Sequence, residues 1–173
     1  MKNDYEIRGA FTAIFVKYKA EILEALIDTD DFEKVSSYKA TWYGYKDPKR
    51  KEIYVAMDVD RYSDRKHFKL HRVIMNAPKG KVVDHMNHNG LDNRKNNLRV
   101  CTIAENRQNQ KGPRKDNHTS GIRGVHWDKK RGKWRAGLRI NGQRIDLGYF
   151  DDKEDAGRTV KQARAIHMPF SIY

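Results

Sequence analysis

A carboxylate and an imidazole stand side by side at Asp84-His85, closing the apolar run Val82-Val83, and a carboxamide, Asn106, follows after a polar stretch. The whole segment from Val82 to Asn109 reads VVDHMNHNGLDNRKNNLRVCTIAENRQN. These residue types suit phosphodiester cleavage, which needs a base to activate water and a cation to neutralise charge on the phosphorane and leaving oxygen. His85, with an ordinary pKa of roughly 6.5, fits the base near neutrality. Asp84 and Asn106 are the oxygen donors that a hard ion such as magnesium takes in small number while it keeps several waters. Asn97 caps or braces the loop between them. An Asp-His pair by itself also suits a turn or a hydrogen-bonded surface pair, so the set has to converge before it can do chemistry.

Local patterns provide elements for that convergence. Val82 to His85 reads as a strand and Asn97 to Cys101 as a second one; Thr102 with Glu105 forms a capping box that puts Asn106 in the first turns of a helix. Upstream, Leu70 to Met75 predicts one or two helical turns closed by Pro78-Lys79-Gly80. Ala40 to Tyr45 and Glu52 to Val59 are rich in aromatic and β-branched residues and predict two strands joined around Asp47-Pro48. Asp30 with Glu33 predicts another capping box on a short helix edged by Phe32 and Val35. Thr12 to Ile27 mixes strand-like and helix-like spacing and fixes neither.

Beyond the polar stretch Arg107 to Ser120, the best linker candidate, the pattern is clearer. Lys133 to Ile140 alternates, with Trp134, Ala136, Leu138 and Ile140 on one face and Lys133, Arg135, Gly137 and Arg139 on the other. Asn141-Gly142 is a strong hairpin signal; with those two residues as the loop, Arg139 faces Arg144 and Leu138 faces Ile145. Like charges opposite one another on a sheet are unfavourable, so a face carrying Arg135, Arg139 and Arg144 predicts an anion on it. A helix capped by Asp151 and Glu154 should cover the other face with the small-residue stripe Ala156, Val160 and Ala163.

The chain has 173 residues and a net charge of +13. The charge is concentrated: residues 111 to 150 hold 11 Lys and Arg against 3 Asp and Glu. Such a patch is the usual electrostatic footprint of nucleic-acid binding. The lone Cys101 excludes a disulfide framework and a Cys-rich zinc site within one chain. The longest purely apolar runs are only a few residues, such as Ala13 to Val16, which predicts neither a membrane span nor a secretory signal, and a protein that stays in the cytoplasm, that of the host cell if a phage encodes it.

LHR from Leu70, then VVDH, LDNRKNNLR and CTIAEN, in that order and spacing, resemble the HNH homing-endonuclease family of phages and mobile introns, in the variant with Asn in the third position. The resemblance implies a ββα-metal (His-Me finger) nuclease fold. It implies His85 as general base and Asp84 and Asn106 as ligands of one Mg2+ or Mn2+ ion, with Asn97 orienting the loop or His85. It further implies 5′-phosphate and 3′-hydroxyl products. His71 and Arg72 match the family's HR pair and fit a phosphate contact or a bracing role alike. His88 departs from the family's glycine-containing loop and receives no role.

Gly121 to Met168, through RGV at Arg123 to Val125, GKW at Gly132 to Trp134 and LGYF at Leu147 to Phe150, resembles the APETALA-type DNA-binding domain of plant ethylene-response factors. That resemblance implies a three-stranded antiparallel sheet in the major groove with a helix behind it, and DNA contacts at Arg123, Arg139 and Arg144. His126 stands where the plant proteins usually have Arg, and Asp146 where they usually have Trp, so their target sequence does not transfer. Trp127 either contacts DNA or packs; Trp134 is assigned to the core.

The expected protein is therefore α+β. An accessory region (1–69) packs with an HNH core (70–110), and a linker (111–120) leads to a DNA-binding domain (121–173). The expected function is sequence-specific hydrolysis of double-stranded DNA, by a monomer or homodimer, with no organic cofactor and no membrane. The rival is a transcription regulator with an inactive nuclease fold.

Overall fold

Strand β1 (Tyr5–Arg8) pairs with β2 (Phe11–Tyr18), which turns back at Lys19-Ala20 into β3 (Glu21–Asp28). This hairpin is the stretch whose periodicity is mixed in the sequence, and two causes are visible. Thr12, Ala13 and Ile14 are all fully buried, so β2 is covered on both faces and loses its alternation. The turn places Lys19 at φ +54°, a conformation that glycine or asparagine usually announces.

A short helix, α1 (Phe32–Ser36), follows as expected, but its N-cap position is Asp31 and no side chain caps it, so the Asp30–Glu33 box does not form. Strands β4 (Tyr43–Lys46), β5 (Ile53–Arg61) and β6 (Asp64–Lys69) complete a six-stranded sheet in the order β1-β2-β4-β5-β6, with β3 on β2. The computed structural model describes residues 1–47, 52–61, 64–110, 112, 117, 119–140 and 142–172, with the backbone alone at 60, 61, 64 and 65. The turn expected at Asp47-Pro48 thus lies partly outside the described residues. β6 has no counterpart in the sequence reading; it is an edge strand, and charge rather than alternating apolar residues is what edges carry.

Helix α2 (Leu70–Ile74) leads to β7 (Val82–His85), which pairs antiparallel with β8 (Leu98–Cys101). One apolar cluster runs through all of this. Ile14, Ile27, Val35, Trp42, Val55, Met57 and Leu70 meet Val83 and Leu98 in it. Each fully buried side chain of this size contributes roughly 1.5–3 kcal/mol, so the two short site strands are anchored by the large sheet's core.

Contacts divide the chain into Met1–Thr102 and Ile103–Tyr173. The second unit opens with α3 (Ile103–Asn106) and a 3-10 turn, Arg107–Asn109. Strands β9 (Val125–Asp128), β10 (Lys133–Ile140) and β11 (Gln143–Phe150) form an antiparallel sheet in the order β11-β10-β9. The register pairs Arg139 with Arg144 and Leu138 with Ile145, as the hairpin reading requires; Asn141 itself lies outside the described residues. A bulge between Ala136 and Gly137 leaves Leu147 as the extra residue of β11.

Helix α4 (Lys153–His167) covers the sheet, burying Ala156, Val160 and Ala163 against Val125, Ala136 and Leu138. Its cap is Asp152, whose carboxylate accepts the Asp155 N–H at 2.8 Å, one residue later than the expected Asp151–Glu154 box. Gly124 fits the close approach before β9. At φ +87°, a Cβ there would lie 2.7 Å from the Gly137 carbonyl and 2.9 Å from a Val160 methyl.

The polar stretch expected to be a linker is partly folded into this unit. Asn117 donates to the carbonyls of Ile122 (2.8 Å) and Val125 (3.1 Å), Ser120 donates to Val125 (2.6 Å), and both side chains are buried. Buried carbonyls of a tight turn require polar partners, which these residues supply.

Candidate active site and nucleic-acid face

His85 ends β7 with its side chain buried, and its Nε2 lies 3.2 Å from Oδ1 of Asn93, which is fully buried. Asn93 is held in turn. Its amide nitrogen donates to the carbonyls of Leu91 (3.1 Å) and Gly90 (3.4 Å), and its backbone N–H donates to Leu26 of β3 at 2.7 Å. The sequence reading missed Asn93, since nothing in LDNRKNNLR separates one asparagine from another. Only the docking of the loop on β3, through Leu26 to Leu91 and Asn93, singles it out.

Asn97 braces the same loop. Its Oδ1 accepts the Asn87 N–H at 3.0 Å and its Nδ2 donates to the Asp92 carbonyl at 2.8 Å. Asp92 adds a two-pronged pair with Arg94 (2.8 and 2.9 Å) and accepts from Asn87 at 3.0 Å. The Arg94 guanidinium, ahead of the smaller contribution from Asn87, holds the Asp92 carboxyl below its ordinary range. His88 sits at φ +60° in this loop, a conformation that suits the glycine of the family pattern better than histidine.

Asp84 lies directly across the ladder from Arg99, whose Nε and Nη2 approach one carboxylate oxygen at 3.0 and 2.8 Å. The imidazole of His71 stands edge-on to that of His85, ring centres 5.1 Å apart, with the Tyr54 ring 5.7 Å from His85. The Arg72 guanidinium donates to the carbonyls of Lys81 (2.6 Å), Ala77 (3.0 Å) and Pro78 (3.1 Å). These contacts are of the bracing kind: Arg72 ties down the turn before β7 and His71 packs beside His85.

Asp84 and His85 belong to the first unit and Asn106, the last residue of α3, to the second. Among the described residues no group of three or more His, Cys, Asp or Glu could hold a metal ion. One carboxylate and one amide oxygen nevertheless fit a hard divalent ion that keeps most of its waters.

The second unit carries the basic face. By register His126, Arg135 and Tyr149 stand in one row across β9, β10 and β11, with Arg139 and Arg144 paired further along. Arg139, Arg144 and His126 are exposed. Arg135 is bound to Asp146, which its guanidinium, and next the Gly148 N–H, hold below the usual carboxylate range. Arg131 stacks on Tyr149 at 4.2 Å. Arg123 points elsewhere: it donates to the carbonyls of Gln108 (2.9 Å), Arg107 (3.0 Å) and Gln110 (3.1 Å). Trp127 stands opposite Trp134, ring centres 4.9 Å apart, and is 39% exposed, whereas Trp134 packs on the core.

No described helix is long and apolar enough to cross a membrane. Residues 68–108 match the HNH endonuclease family, a span containing Asp84, His85, Asn93, Asn97 and Asn106 and ending before the three-stranded sheet. Protein 3.8 of Escherichia phage T7 is 32% identical over 96 residues, covering 56% of this chain and 78% of that protein. No solved structure matches the chain. With the matched span containing the imidazole, its buried amide partner and the adjacent carboxylate, the chain belongs to the HNH endonuclease family.

Proposed function

We propose that the protein is a sequence-specific, metal-dependent DNA endonuclease in which His85 is the general base. The observation that carries this reading is the buried His85–Asn93 contact beside Asp84. An imidazole held by a fully buried amide has the fixed orientation that proton transfer requires. Asp84 and Asn106 would hold one Mg2+ or Mn2+ ion. When bound, that ion neutralises charge on the phosphate and the leaving oxygen. Arg99, already on the Asp84 carboxylate, would keep that carboxylate in place for the ion. His85 removes a proton from water, and the products are 5′-phosphate and 3′-hydroxyl ends.

Residues 121–173 serve as the reading head in this proposal, an APETALA-type sheet laid in the major groove. Arg139 and Arg144, with His126, supply contacts to bases and phosphates, and Arg135 is oriented by Asp146. Arg123 holds the segment Arg107–Gln110 instead of reaching DNA.

The test is cleavage of duplex DNA by purified protein with and without magnesium. Divalent-ion-dependent cuts that disappear in His85→Ala, with duplex binding retained, are expected. Binding without any cleavage under these conditions would leave the chain a DNA-binding regulator on a nuclease fold. Sequencing both strands at the cut distinguishes nicking from double-strand cleavage.

A further inference from the structure

Behind the three-stranded sheet, on the α4 side, lies a pocket of about 410 Å³ in the second unit. Its floor includes Ile122 and Val160, and four cationic side chains line it: Arg123, Arg158, Lys161 and Arg164. Among the described residues that line it, Glu154 is the one carboxylate. Arg164 is 6% exposed, its Nε has no hydrogen-bond partner, and no described carboxylate pairs with it. Its Nη2 reaches only neutral oxygens, the Ser171 hydroxyl and, at 3.4 Å, the Gln108 carbonyl. A buried guanidinium without a counter-ion is costly, and natural interiors pair such charges. Burial lowers the Arg164 pKa and nothing near it raises it.

We propose that this pocket is a second anion site, which takes a phosphate group carried on a larger, partly apolar body. Forked guanidiniums match tetrahedral oxyanions, and Ile122 and Val160 offer surface to what the phosphate is attached to. The site is separate from the basic sheet face, because α4 packs on the face opposite Arg139 and Arg144. The phosphate can come from a nucleic-acid backbone or from a small phosphorylated molecule. The proposal does not depend on the role given to His85.

The experiment measures Tm of the full chain in inorganic phosphate and in chloride at matched ionic strength. Binding should raise the wild-type Tm by about 3 °C or more over chloride, and Arg164→Met should remove that rise. General salt exclusion from protein surfaces raises both proteins equally. A rise that is the same in wild type and Arg164→Met overturns the proposal. If Arg164→Met does not fold, Lys161→Gln, which alters an exposed residue of the pocket, takes its place with the same criterion. A single-stranded oligonucleotide is then added to the Arg139→Ala/Arg144→Ala variant, with and without the Arg164 change. An Arg164-dependent rise identifies backbone phosphate as a source, and a rise with inorganic phosphate alone identifies a small phosphorylated ligand.

Discussion

The loop between β7 and β8 and the outer face of the three-stranded sheet are both dense in polar side chains, but they use them in opposite ways. In the loop, Asn93, Asn97 and Asp92 are buried and bound to loop carbonyls or to Arg94, so each removes conformational freedom from its neighbours. On the sheet, Arg139 and Arg144 are exposed and face each other as like charges. Buried polar groups fix a geometry, because leaving one unsatisfied costs about 1–3 kcal/mol. Exposed like charges do the reverse: their mutual repulsion is unfavourable, and a bound polyanion would relieve it. The first arrangement suits a reaction centre and the second a binding surface.

The largest effect expected is at His85, the proposed base. His85→Ala should lower the cleavage rate by roughly 10²-fold or more while duplex affinity stays unchanged in a mobility-shift assay; a comparable loss of affinity would blur the division between the two regions. Asn93→Ala comes next, with a fall of about 10-fold in kcat at nearly constant KM. If Asn93 positions His85 through their 3.2 Å contact, the His85 imidazole resonances should also shift in this variant. Unmoved resonances would make Asn93 merely structural.

Asp92→Asn should destabilise the protein by about 2 kcal/mol, measured by denaturant unfolding. The pH dependence follows from its depressed pKa. Stability from the ionised carboxylate is fully present above the unfolded value of roughly 3.9 and is lost as pH falls through the lower folded value. Wild type should therefore lose this contribution in acid, and Asp92→Asn should lack that part of the acid dependence. The smallest effects belong to the sheet: Arg139→Ala and Arg144→Ala should each reduce the slope of log affinity against log salt by about 1 and leave Tm nearly unchanged. A large fall in Tm would mean that these arginines hold the fold.

Where chemistry and periodicity coincide, the sequence was sufficient. VVDH and LRVC became paired strands, and the alternation of Lys133 to Ile140 with Asn141-Gly142 predicted the register of the second sheet. Where burial breaks periodicity it was not: β2 is covered on both sides, β6 is a charged edge, and Lys19 turns a hairpin without glycine. The two misplaced capping boxes show the same limit, since several acidic residues in a row each satisfy the pattern and only the backbone's entry into the helix selects one.

The sequence alone determined which atoms could act: an imidazole beside a carboxylate, and arginines sorted by a period of two onto one face. Covalent order dictates both, because neighbours along a strand cannot change their spacing. Tertiary structure decided which polar groups serve as support. It chose Asn93 to hold His85, Arg72 and Arg123 to clamp backbone carbonyls, and Asp146 to hold Arg135. Those choices depend on which carbonyls and carboxylates come within about 3 Å once distant segments pack, and distance through space is not written in residue order.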